Sequence, residues 1–152
     1  MTYRQAFFVL CSLPLFVGMG CGSNGVEKPA TFPVSGVVIY QGKPVEGATV
    51  AFSTEKAPRI SSGVTDSEGK FALSMFKAGD GAVAGTHQVT IIKLDPQLQQ
   101  QPDEDANAYT TRVLGKDPGK SLLPAIYANL SKTPLSAEVS ASETNHFQFE
   151  LK

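Results

Sequence analysis

The chain of 152 residues has no tryptophan, two cysteines, two histidines and almost no net charge. Each scarcity removes a class of protein. With 13 Lys+Arg against 14 Asp+Glu there is no basic excess to cover a phosphate backbone, which argues against nucleic acid as a partner. A catalytic zinc takes three protein ligands, often two neighbouring histidines and a carboxylate, whereas His87 and His146 lie far apart in the chain. No Gly-x-Ser-x-Gly elbow marks a nucleophilic serine. The glycine-rich stretch 79–85 is followed by no helical pattern that would offer an N-terminus to phosphate. Nowhere do apolar residues keep a 3.6-residue period over three turns, so a helical domain is not expected. No catalytic residue, metal ligand or cofactor site is assigned. The expectation is a protein that is not an enzyme.

Long apolar runs are also missing. The longest, Ala6-Phe7-Phe8-Val9-Leu10-Cys11-Ser12-Leu13-Pro14-Leu15-Phe16-Val17, falls short of the roughly 20 residues of a membrane-spanning helix. It has the length of a signal-peptide core, preceded by the single basic residue Arg4 and broken by Pro14. Gly18-Met19-Gly20-Cys21 then resembles a bacterial lipobox. That resemblance implies cleavage before Cys21 and attachment of its thiol to diacylglycerol. Residues 1–20 are therefore expected to be a lipoprotein signal peptide, and 21–31, rich in Gly, Ser and Asn, a flexible tether. Gly22 in place of Asp after the cysteine points to the outer membrane. Cys11 leaves with the signal and Cys21 carries lipid, so no disulfide is expected.

From Phe32 the texture changes to short β-prone runs separated by turn residues. Strands are expected over 33–40, 48–53, 62–65, 70–75, 85–93, 135–139 and 146–151. Period-two alternation puts Ala48, Val50 and Phe52 on an inner face, and likewise Phe71, Leu73 and Met75. The same alternation puts His87, Val89 and Ile91 inward, and also Phe147, Phe149 and Leu151. Seven such strands describe an all-β, antiparallel β-sandwich occupying 32–152. One segment breaks the rhythm: 95–119 is Gln-rich and acidic in its first half and is expected to be a structureless surface excursion, open to proteases. Leu122-Leu123-Pro124-Ala125-Ile126-Tyr127 reads as a docking turn before the last strands.

Three groups resemble a known family. They are Val34-x-Gly36-x-Val38-x-Tyr40-x-Gly42-Lys43-Pro44-Val45-x-Gly47-Ala48-x-Val50-x-Phe52, Thr65-Asp66-Ser67-Glu68-Gly69-Lys70-Phe71, and Gly85-Thr86-His87-Gln88-Val89-Thr90-Ile91. Together they are similar to carboxypeptidase regulatory-like domains, here with His87 in place of an aromatic residue. With Leu123-Pro124-Ala125-Ile126-Tyr127 and Thr133-Pro134-Leu135 the chain looks like small bacterial lipoproteins built from one such domain. The resemblance implies a Greek-key, transthyretin-like (prealbumin-like) sandwich and no reaction of its own. The expected role is a lipid-anchored envelope protein that binds or supports another envelope component, a protein or a glycan, with membrane lipid as a second partner through Cys21. An accessory subunit of a transport or secretion complex, docking through a strand edge, is the alternative, and an enzyme with an unrecognised site is a third. Two further possibilities carry less weight. Asp66-Ser67-Glu68-Gly69 is too short for a calcium loop and reads as a turn. Lys43 and Asn145, with Glu138 as the acid, would form an isopeptide bond only if both lay within adjacent strands, but Lys43 falls in a turn and Asn145 ahead of its strand.

Overall fold

The computed structural model describes residues 28–152; the expected signal peptide over 1–20, Cys21 and most of the expected tether lie outside the described residues. The fold is all-β. One sheet holds β2 (Val34–Tyr40) flanked on one side by β10 (Asn145–Leu151) and on the other by β3 (Lys43–Pro44) and β6 (Lys70–Ala72). The facing sheet runs β5 (Ser61–Val64), β4 (Thr49–Ser53), β8 (Gly85–Ile92), β9 (Ser136–Val139). A two-residue pairing of β1 (Thr31–Phe32) with β7 (Ala82–Val83) fixes the start of the domain, so Thr31, assigned above to the tether, belongs to a strand. All seven expected strands form, and β1, β3 and β7 are short additions.

The alternation is obeyed. Val50, Phe52, Phe71, Leu73, Val89, Ile91, Phe149 and Leu151 are buried between the sheets, and Phe147 packs half-buried against them. Phe52 from one sheet meets Phe147 and Phe149 from the other at centroid distances of 5.7 and 6.1 Å, and Phe71 stacks on Phe149 at 6.2 Å. Offset and edge-on ring contacts of this kind add to the burial of the rings themselves. Two glycines are demanded by geometry. Gln41 and Gly42 form the two-residue turn between β2 and β3 with φ of 51° and 75°, the left-handed pair that matches strand twist. A Cβ on Gly36 would stand 2.2 Å from the Phe147 carbonyl oxygen.

Three features depart from the expectation. The β10–β2 ladder is parallel, with Asn145 opposite Val34 and Leu151 opposite Tyr40, so the sandwich is not purely antiparallel. No hairpin joins these strands; nearly the whole domain separates them in sequence, which is what a parallel pair needs. Asn145, expected ahead of its strand, is the first residue of β10 and is buried. The 95–119 segment is not structureless. It contains a 3-10 turn over Pro96–Leu98 and α1 (Ala106–Val113). Asp105 caps α1 by accepting from the Asn107 and Ala108 amides at 2.8 and 2.9 Å, satisfying N–H groups that the helix itself leaves free. The helix buries no residue, so it carries none of the apolar period by which helices are recognised.

Two of the edges are closed, by different means. Ser62 and Ser74 exchange backbone hydrogen bonds of 3.0 and 2.9 Å, stitching the sheets together along one side. On the other side β9 covers β8 only from Gly85 to Gln88. Beyond that point the chain segment bearing α2 (Ala125–Ala128) takes over. The Val89 amide donates to the Leu135 carbonyl at 3.0 Å, and the Leu122 amide donates to the Lys93 carbonyl at 2.7 Å. Leu123 and Tyr127 from this segment are buried, and the Lys152 amide donates to the Tyr127 hydroxyl at 3.0 Å. The docking turn anticipated at 122–127 is therefore a plug for the open edge.

Candidate functional site

The two ends of the sandwich differ. At one end the chain joins the domain: Lys28 Nζ lies 5.4 Å above the Phe76 ring, and β1 pairs with β7 just before β8 begins. Asp80 organises this end by accepting from the Met75, Phe76 and Lys77 amides at 2.6, 2.9 and 2.9 Å. Partial burial pushes the Asp80 carboxyl up, but those amides outweigh it and hold the group below its ordinary range. A depression of about 590 Å³ also lies here, lined by Ile60, Leu130, Thr86 and Gln88 with Glu55 and Lys56 of opposite sign.

At the other end, where β2 finishes and β8 runs out, a cleft opens between the β2–β3 hairpin and the Ser121–Leu123 stretch. It has two compartments, of about 290 and 530 Å³, that share Tyr40, Leu122 and Leu123. The first adds Lys43 and Lys93, the second Lys120 and Pro124. No aspartate or glutamate lines either compartment. The ion pairs among the described residues are Lys70–Glu68 and Arg112–Glu104, so the three lysines stand without a carboxylate partner. Leu122 is 55% exposed on the cleft wall, and Tyr40 is half-buried with its hydroxyl 3.3 Å from Gln41 Nε2. The walls are firm: Ser121 Oγ accepts from the Lys93 amide at 3.2 Å and from the Leu123 amide at 3.1 Å, and the Val45 amide donates to the Val38 carbonyl at 3.0 Å. Walls of this make-up, an aromatic ring, an exposed leucine and three cations, are suited to hold an anionic ligand.

The residues weighed from sequence have plain structural work. His87 is buried beside Phe52, and its Nε2–H donates to the Val83 carbonyl at 2.9 Å, while Nδ1 meets no partner among the described residues. His146 lies on the outer face of β10 with Nδ1 3.1 Å from Ser35 Oγ, so the histidines face different ways. Asp66 Oδ1 accepts from the Glu68 and Lys70 amides at 2.9 Å each, closing the turn before Phe71. Lys43 pairs with Tyr40 and Asn145 with Val34, at opposite ends of β2 and about 20 Å apart at ~3.3 Å per residue, which rules out an isopeptide bond between them. Asn145 is a pin instead: its side chain accepts from the Ser140 amide at 2.7 Å and donates to the Ser140 and Pro33 carbonyls at 3.0 and 3.3 Å.

Sequence reasoning did not find the cleft. Lys43, Lys93 and Lys120 sit on three separate segments that only the topology brings to one end. One signal was present: from Pro118 to Ala137 the chain carries Lys120 and Lys132 but no acidic residue. Compared with known proteins, the chain matches no family model, no curated protein and no solved structure.

Proposed function

We propose that this protein is a lipid-anchored, non-enzymatic component of the cell envelope, held at a membrane through Cys21 and binding another envelope component in the cleft beside Tyr40. The lipobox-like Gly18-Met19-Gly20-Cys21 motivates the anchor, and similarity to carboxypeptidase regulatory-like domains motivates a binding role without catalysis. One observation carries the reading: the chain joins the sandwich beside Phe76 and Val83, at the end opposite the cleft. A tether reaching back to a membrane from there leaves the cleft facing outward. A diacylated cysteine supplies two chains, and a single chain anchors only marginally. In detergent phase separation the wild-type chain should enter the detergent phase and Cys21→Ser the aqueous phase. Wild type in the aqueous phase would defeat the anchor.

A second reading has an observation of its own. Among the described residues the outer edge of β10 pairs with no strand, leaving a seven-residue edge for a partner strand to extend. An accessory subunit of an envelope transport complex would dock there. A proline placed within β10 at an outward-facing amide would abolish such docking and leave ligand binding at the cleft unchanged.

A further inference from the structure

We propose that the cleft beside Tyr40 takes an acidic polysaccharide, a sugar chain bearing carboxylate or sulfate groups, held by Lys43, Lys93 and Lys120; this rests on the reading that the cleft is the binding end of the protein. Charge gives the first argument. The chain as a whole carries slightly more acid than base, yet every ionisable group on the cleft walls except the Tyr40 phenol is a lysine. Three lysines on the walls of two adjoining compartments, with no carboxylate among the lining residues, make this end of the sandwich positive and attract an anion to it.

The kind of cation gives the second. An arginine fork reads one planar carboxylate or phosphate in fixed geometry, whereas lysine is a mobile point donor with three N–H groups. Lysines on separate walls suit acidic groups repeated at loosely fixed spacing along a polymer. Tyr40 adds a ring with an apolar face and a polar tip, the kind of surface on which the C–H face of a sugar packs while its hydroxyls stay wet. Shape gives the third. The two compartments lie side by side, with Tyr40, Leu122 and Leu123 lining both, and each is open to solvent, which fits a length of chain better than a small enclosed molecule.

An acidic polypeptide shares the charge but finds less to hold it. Peptides commonly gain affinity by adding main-chain hydrogen bonds to a free edge. Here the Val45, Lys93, Leu122 and Leu123 amides are already committed to Val38, Ser121 and Lys93. The ligand must therefore bind through side groups, which a sugar acid supplies at every residue.

The test uses the purified full chain with polygalacturonate, dextran sulfate, neutral dextran and polyglutamate, by calorimetry. Binding to one or both acidic polysaccharides, none to neutral dextran, and marked weakening in roughly 0.5 M salt are expected. Lys43→Gln/Lys93→Gln/Lys120→Gln should weaken binding by about tenfold or more, and Tyr40→Leu by about threefold, with unfolding temperatures unchanged. Lys56→Gln/Lys70→Gln/Lys77→Gln removes the same charge elsewhere and should leave affinity as it was. Equal weakening by that control, equally tight polyglutamate binding, or no binding to either acidic polysaccharide overturns the proposal. Anchoring is read separately: lost sugar binding with detergent partitioning intact refutes the ligand alone, and the reverse result refutes the anchor alone.

Discussion

Arg112 closes on Glu104 through two contacts, Nε to Oε1 at 2.7 Å and Nη2 to Oε2 at 2.6 Å. The same guanidinium donates to the Gln99 carbonyl at 2.8 Å and to the Gln97 carbonyl, and its plane lies over the Tyr109 ring. One side chain on α1 thus gathers the 3-10 turn, the following acidic stretch and the helix into a unit. The pair holds the Glu104 carboxyl below its ordinary range, chiefly through the hydrogen bonds from Arg112.

Replacing Arg112 with alanine should therefore release 95–119 without unfolding the sandwich, since α1 buries no residue. Limited proteolysis should cut the variant first within 97–116 and much faster than wild type. Equal cutting rates would mean that the clamp does not order the segment.

The pair also predicts a pH effect. Because the folded Glu104 carboxyl lies below its unfolded value of about 4.3, its contribution is present above that pH and is lost as acid takes the folded group through its own titration. Pepsin cleavage within 97–116 should accelerate as the pH falls below ~4 in wild type. Glu104→Gln should already be susceptible and show a flatter profile.

Phe52, Phe71 and Phe149 join the two sheets, and each is buried. Truncating any of them to alanine should cost about 3–5 kcal/mol in denaturant unfolding, a large share of the ~5–15 kcal/mol of a small domain. Losses under about 1 kcal/mol at all three would contradict this register.

Gly36→Ala should destabilise although it adds one methyl group. The new Cβ would stand 2.2 Å from the Phe147 carbonyl oxygen and 2.7 Å from Phe71 Cζ. The first neighbour is backbone within the β10–β2 ladder and cannot yield without disturbing its pairing, so a cost of about 1–3 kcal/mol is expected in the same assay.

Asp80 should confer an acid-sensitive component of stability. Its folded carboxyl lies below the unfolded value of about 3.9, so the gain from its three amide bonds persists above that pH and fades below it. The unfolding temperature of wild type should fall toward that of Asp80→Asn as the pH drops from ~5 to ~2. Parallel curves over that range would show that the loop is held otherwise.

The strands were legible because burial between two sheets imposes a period of two on the residues themselves. Phe71-Ala72-Leu73 and Val89-Thr90-Ile91 state their inner faces without reference to any partner. The Gln41-Gly42 and Asp66–Gly69 turns were legible for a similar reason: positive φ and side-chain capping of nearby amides are local demands. Other features were decided by contacts between residues distant in the chain. Nothing local distinguishes a strand that will pair parallel with β2 from one that will pair antiparallel, because both need the same alternation. Helix α1 lies hidden for the opposite reason, being held by an Asp105 cap and an Arg112 clamp instead of by an apolar face. The cleft is the extreme case. Lys43, Lys93 and Lys120 each look like an ordinary solvated charge, and only the crossing of three segments brings them to one end of the sandwich. Their shared potential depends on distances in space, which the order of residues does not contain.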